Sequence, residues 1–166
     1  MLIEMKVSGL TIDPLTNTPI VILKDMEGKK AVPIWIGLFE ASAIATELEK
    51  ISFSRPMTHD LLSNILKAID VKVTKIEISD LKNNTFFANI YIQRSEKNIV
   101  IDSRPSDAIA LALRVNAPIF VDEKVVEKSR SVDLAGKKVD LDKLKEKNLE
   151  EFLENLSPDD FGKYKM

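Results

Sequence analysis

Two stretches of this chain can be laid on one another with an offset of 67 residues, and this self-similarity constrains the fold more than any other feature. Val32-Pro33-Ile34 falls on Ile99-Val100-Ile101, and Glu40-Ala41-Ser42-Ala43-Ile44-Ala45 on Asp107-Ala108-Ile109-Ala110-Leu111-Ala112. In both copies a β-branched, strand-like segment runs into an alanine-rich helix headed by an acidic residue. The segments upstream complete the pattern. Ile3, Met5 and Val7 alternate with polar residues as in a half-buried strand, Ile20 to Leu23 reads as a buried strand, and Ala31 to Ile36 as a third. Phe39 to Lys50 then reads as a helix with Ala41, Ile44, Ala45 and Leu48 on one face. Strands over Val71–Ile78, Phe86–Ile92 and Asn98–Ile101 precede a helix over Ser106–Val115. Three strands and a helix, twice over, predict an α+β fold: two β-β-β-α halves forming a mixed or antiparallel β core with packed helices. Pro33 places its strand at an edge or a bulge.

Between the halves lies an additional helix, about Thr58 to Ile69, expected to bury Leu61, Leu62, Ile65, Leu66 and Ile69. After them, Pro118 to Val121 is one further strand, and Asp122 can cap a helical turn through Val125 to Lys128. Residues 1–130 thus form one domain, and 131–166 a linker followed by an amphipathic helix with Leu144, Leu149, Phe152, Leu153 and Leu156 in one stripe. That C-terminal helix is expected to cover the domain or a second subunit.

The totals exclude several function classes. Cysteine is absent, so disulfides, thiolate catalysis and cysteine-ligated zinc are excluded. His59 is the only histidine, which rules out a multi-histidine metal site. No Gly-x-Ser-x-Gly elbow, Walker phosphate loop or dinucleotide fingerprint occurs. No apolar run reaches the length of a membrane span, and the N-terminus lacks a signal peptide's basic start and apolar segment, so no membrane association and a cytoplasmic location are expected. The net charge of −2 argues against bulk attraction to nucleic acid but leaves room for a local basic groove.

A tripeptide also occurs twice, as Ser54-Arg55-Pro56 and Ser103-Arg104-Pro105, each leading into a helix start. Proline suits a helix entrance. Thr58 or Ser106 is expected to cap the free N–H groups, and Asp60 or Asp107 falls in the first turn, where the helix dipole favours negative charge. Local structure does not require the arginine, yet two of the chain's five arginines stand here. They either pair with nearby carboxylates as structural staples or join helix N–H groups in an anion or phosphoryl site.

The titratable candidates gather at strand–helix junctions: Glu40, His59, Asp60, Asp102 and Asp107, with Arg55 and Arg104. Carboxylates crowded in a low-dielectric cleft repel, and a hard divalent cation such as Mg²⁺ or Mn²⁺ relieves that strain, activates water and stabilises a reacting phosphorus. Glu40, Asp60, Asp102 and Asp107 are the expected metal ligands or water-positioning groups. Arg55 and Arg104 are the expected phosphate binders, and His59 the proton donor to a leaving oxygen. Trp35 and Phe39 are expected in the core rather than as a base-stacking platform.

Three motifs in order, Pro33-Ile34-Trp35-Ile36-Gly37 with Glu40-Ala41, Arg55-Pro56-Met57-Thr58-His59-Asp60-Leu61, and Asp102-Ser103-Arg104-Pro105-Ser106-Asp107-Ala108-Ile109-Ala110-Leu111, resemble the signature of the bifunctional nuclease family. The resemblance covers roughly residues 1–130, and Pro158-Asp159-Asp160-Phe161-Gly162 is similar to the ending of close bacterial members. It implies a nuclease acting on DNA and RNA, built from β-rich halves with packed helices. It also implies that members often carry a further C-terminal helical-hairpin module, for which this chain is too short. The function expected is therefore metal-dependent phosphodiester hydrolysis by a homodimer. The rival is a non-enzymatic binding or regulatory module whose arginine–carboxylate pairs are staples.

Overall fold

A computed structural model describes residues 1–130, and the expected helix over Asp142–Leu156 lies outside them. Strands β1 (Leu2–Ile12), β2 (Pro19–Asp25) and β3 (Ala31–Trp35) form an antiparallel meander followed by helix α1 (Leu38–Leu48). After α2 (Thr58–Ala68), β4 (Lys72–Lys82), β5 (Thr85–Arg94) and β6 (Lys97–Ser103) form a second antiparallel meander followed by α3 (Pro105–Val115). Strand β7 (Ile119–Asp122) joins the two meanders, antiparallel to β1 and parallel to β4, and α4 (Glu123–Arg130) follows it. The result is one mixed sheet in the order β3-β2-β1-β7-β4-β5-β6. The α+β class and the doubled β-β-β-α order are as the sequence indicates. Helices α1 and α3 stand at the same 67-residue offset that aligns their sequences.

Local chemistry explains the punctuation. Asn83 and Asn84, both at positive φ, make the two-residue turn between β4 and β5, a geometry in which asparagine is favoured. Helix α3 ends on Asn116 in the left-handed conformation, a standard stop signal. Pro33 stands on an edge strand, as its missing N–H requires. Ile36 donates its N–H to the Pro19 carbonyl, and counting back along that ladder turns the Pro33 nitrogen away from β2.

The core lies between the sheet and α1, α3 and α4. Val21, Leu23, Ile76, Ile78 and Val121 of the sheet meet Ile44, Ile109, Leu111, Val125 and Val126 of the helices, all essentially solvent-free. Burying each such side chain contributes about 1.5–3 kcal/mol. Ala41 and Ala45 of α1 and Ala108, Ala110 and Ala112 of α3 are buried with them and let the two helices pack side by side, so that their N-termini lie together.

Three expectations are corrected. Helix α2 does not bury its apolar stripe: Leu61, Leu62, Ile65 and Ile69 are exposed, Leu66 is half-buried, and Ser63 is its one buried residue. The reason is position, since α2 leans on α3 rather than on the sheet, and its first turn is held by ionic contacts. Phe39 is exposed rather than in the core. The expected side-chain caps are absent: α2 follows Met57 and α3 follows Arg104, and neither Thr58 nor Ser106 caps its helix. Instead the Asp60 carboxylate accepts the Met57 N–H at 3.0 Å.

Candidate functional site

The starts of α1, α2 and α3 surround a cleft of about 370 Å³, lined by Phe39, Glu40, Phe53, His59, Arg104 and Asp107, with Arg114 in its wall. Arg104, the residue just before α3, lies between two carboxylates. Its Nε donates to Asp107 Oδ2 at 2.8 Å, and its Nη1 donates to Glu40 Oε1 at 2.7 Å. Asp107 Oδ1 is 2.9 Å from Nε2 of His59 on α2. A chain of polar contacts, Glu40–Arg104–Asp107–His59, thus ties the three helix starts together. Glu40 and Asp107 are equivalent under the internal offset, and in the first half Gly37 occupies the place of Arg104. The Glu40 carboxylate folds back over Gly37 into space that a Cβ would fill.

The electrostatics follow from these contacts. Burial pushes the Asp107 carboxyl up, but the hydrogen bonds and charges of Arg104 and His59 outweigh it and hold the group below its ordinary range. Asp107 is therefore an acceptor, so Nε2 of His59 carries the hydrogen and Nδ1 is left to exchange a proton. Behind the chain, the buried Arg114 donates its Nε to Asp60 Oδ1 at 2.7 Å and its Nη1 to the Ala110 carbonyl at 2.9 Å. Burial raises the Asp60 carboxyl, while Arg114, the Met57 N–H and the nearby His59 charge more than offset it, so it too is lowered.

Of the residues singled out in the sequence, Glu40, His59, Arg104 and Asp107 line the cleft. Asp60 is adjacent but turned to Arg114, and neither it nor Arg55 or Asp102 is among the lining residues. Arg55 is exposed in the segment before α2, and Asp102 is exposed on edge strand β6 opposite Asn89. Sequence reading passed over Arg114, although it lies seven residues after Asp107 and so on the same helix face. It also passed over Phe53 as a lining residue.

The donor set does not fit a preformed Mg²⁺ or Mn²⁺ site. Among the described residues no three His, Asp or Glu side chains form a metal shell, and the two cleft carboxylates already hold a guanidinium between them. What the arrangement offers is an arginine fixed from both sides, a histidine oriented by an aspartate, and two exposed aromatic rings.

The model of the bifunctional nuclease domain matches residues 21–133, more than half of the chain and every residue lining the cleft. The chain belongs to the bifunctional nuclease family. Its relatives include an uncharacterized protein of Mycobacterium tuberculosis strain H37Rv, 36% identical over 167 residues that cover 95% of this chain and 97% of that one. Bifunctional nuclease 1 of Oryza sativa subsp. japonica is 23% identical over 109 residues, 63% of this chain and 33% of the rice protein. The three motifs that carry the bifunctional nuclease resemblance are the segments that build the starts of α1, α2 and α3 around the cleft. Among the described residues no helix is long and apolar enough to cross a membrane.

Proposed function

We propose that the protein hydrolyses phosphodiester bonds in DNA and RNA at this cleft, as a homodimer. One observation carries the reading: Glu40, Arg104, Asp107 and His59 come from three separate helix starts, yet form one continuous polar chain along one cleft wall in a chain of this family. Arg104 is more than half exposed at its side chain despite its two partners, which leaves its remaining N–H groups to grip phosphate oxygens. Glu40 and Asp107 fix the guanidinium plane, and Glu40 also positions the attacking water. Water adds to phosphorus and gives up a proton to solvent as the bond to the leaving oxygen breaks, while the His59 imidazolium, its Nε2–H held by Asp107, gives its Nδ1 proton to that oxygen and takes one back from solvent. Phe39 and Phe53 give the flanking bases a stacking surface, which suits single-stranded substrate and tolerates any sequence.

No step is assigned to a metal. The test is cleavage of labelled single- and double-stranded DNA and RNA by highly purified protein, with Mg²⁺, Mn²⁺ or EDTA. Cutting of single strands that Arg104→Met abolishes supports the reading. A specific observation favours one rival, a nucleic-acid-binding module without catalysis: every cleft carboxylate is already neutralised by an arginine or faces the histidine. Binding without cutting in all conditions decides for that module.

A further inference from the structure

Strands β3 and β6 are the two edges of the sheet and are equivalent under the internal offset, yet they are finished differently. Natural sheets protect an edge with a short strand, a proline, a bulge, charges or a covering element. Strand β3 has three of these: it is five residues long, it carries Pro33, and α4 packs against it, so Val32 and Ile34 are buried. The residue equivalent to Pro33 is Val100. Strand β6 is seven residues long, has no proline, and pairs with β5 without a register shift. Its centre, Ile99-Val100-Ile101, is uncharged and exposed at 45%, 53% and 44%.

The outward groups of this edge can be identified. Ser95 and Glu96 form a two-residue turn in which Arg94 pairs with Lys97, and the closing pair of such a hairpin is hydrogen-bonded. Alternation then makes Ile92–Ile99 and Ile90–Ile101 the bonded pairs to β5. Asn98, Val100 and Asp102 consequently turn their N–H and C=O groups away from the sheet, just as Pro33 turns its nitrogen away from β2.

We propose that β6 is the homodimer interface, pairing antiparallel with β6 of a second copy about a two-fold axis at Val100. This gives the surface of the homodimer proposed above but does not depend on nuclease activity. The strand is self-complementary in that register. Val100 meets the partner's Val100, and Ile99 meets the partner's Ile101 on the opposite face. Asn98 comes opposite the partner's Asp102, so that its amide donates to that carboxylate, twice by symmetry. The three outward-facing residues become bonded pairs across the axis, and the exposed isoleucines of the two copies cover each other. Asp102, which lies outside the cleft lining, thereby acquires a structural role.

The test is the sedimentation equilibrium of the full chain and four exposed-position variants, each checked by circular dichroism for native fold. Asn98→Asp sets two carboxylates opposite two others and is expected to weaken dimerisation roughly tenfold. Asn98→Lys sets an ammonium opposite each carboxylate and is expected to leave the dimer as tight as wild type or tighter. Val100→Lys places two ammonium groups at the axis and is expected to yield monomer. A wild type still monomeric at roughly 100 μM, far above a micromolar Kd, overturns the proposal. So does a dimer indifferent to the sign of the charge at position 98, or one lost with Ile65→Lys on the exposed stripe of α2 but kept with Val100→Lys.

Discussion

Replacing Arg114 by methionine tests how the wall of the cleft is held. Its side chain is only 6% exposed, and its ion pair with Asp60 ties the end of α3 to the first turn of α2. Methionine retains the aliphatic stem but removes the bonds to Asp60 and to the Ala110 carbonyl. Breaking a fully buried ion pair costs about 3–5 kcal/mol. Asp60 is about one-third exposed and keeps the Met57 N–H, so solvent recovers part of that. The expected loss is about 2–3 kcal/mol, or roughly 8–12 °C in melting temperature for a domain of this size.

The pH dependence identifies the mechanism. Burial raises the Asp60 carboxyl, but the Arg114 hydrogen bond, the Met57 N–H and neighbouring positive charge lower it below 3.8 overall. A lowered folded-state value contributes stability that is fully present above the unfolded value and is lost as pH falls through the folded one. Urea melts should therefore show the full gap between wild type and Arg114→Met from pH 7 to about pH 5, narrowing below about pH 3.8. A gap that stays constant down to pH 3 would mean that Arg114 acts by packing alone, and a gap under about 0.5 kcal/mol would refute the bracing role altogether.

Three further substitutions have defined outcomes. Thr11 has a buried hydroxyl with no partner among the described residues, so Thr11→Val should raise stability by about 0.5–1 kcal/mol in chemical denaturation. Trp35 Nε1 donates to Oδ2 of the buried Asp13 at 3.1 Å, and Trp35→Phe should cost about 1–3 kcal/mol in the same measurement. Gly37→Ala places a methyl group where the Glu40 carboxylate folds back, forcing it off Arg104; cleavage should fall about tenfold while the melting temperature moves by less than roughly 4 °C.

Much of the fold is legible in the chain because the halves repeat. Acidic-headed, alanine-rich segments at one offset mark α1 and α3, and alternation marks the strands. The first strands of the halves, β1 and β4, are less obvious partners, since shifts at Val7/Gly9 and at Val73/Lys75 and Ile78/Asp80 break their common register. Helix α2 misleads for a physical reason. Leu61, Leu62, Ile65 and Ile69 have the spacing of a buried face, while the groups that hold the helix in place are the charged ones beside them. The same holds at the site. Sequence brings Asp102 and Asp107 within five residues, but one lies on a strand and the other in the first turn of a helix, and only Asp107 lines the cleft. No local signal joins Arg104 to Glu40, which is 64 residues away. Only the packing of α1 on α3, through their alanines, does so.

That separation of two neighbouring aspartates supplies the most direct test of the account. Single-turnover cleavage of a labelled single strand should be measured for wild type, Asp107→Asn and Asp102→Asn, each highly purified and confirmed to be folded. Asp107→Asn removes the carboxylate that orients His59 and holds Arg104, and should reduce the rate by at least about a hundredfold with only a small change in melting temperature. Asp102→Asn, on the sheet edge, should cut within about twofold of wild type. Equal rates for all three proteins, or loss of cleavage in Asp102→Asn with activity kept in Asp107→Asn, would contradict the assignment of the cleft as the active site.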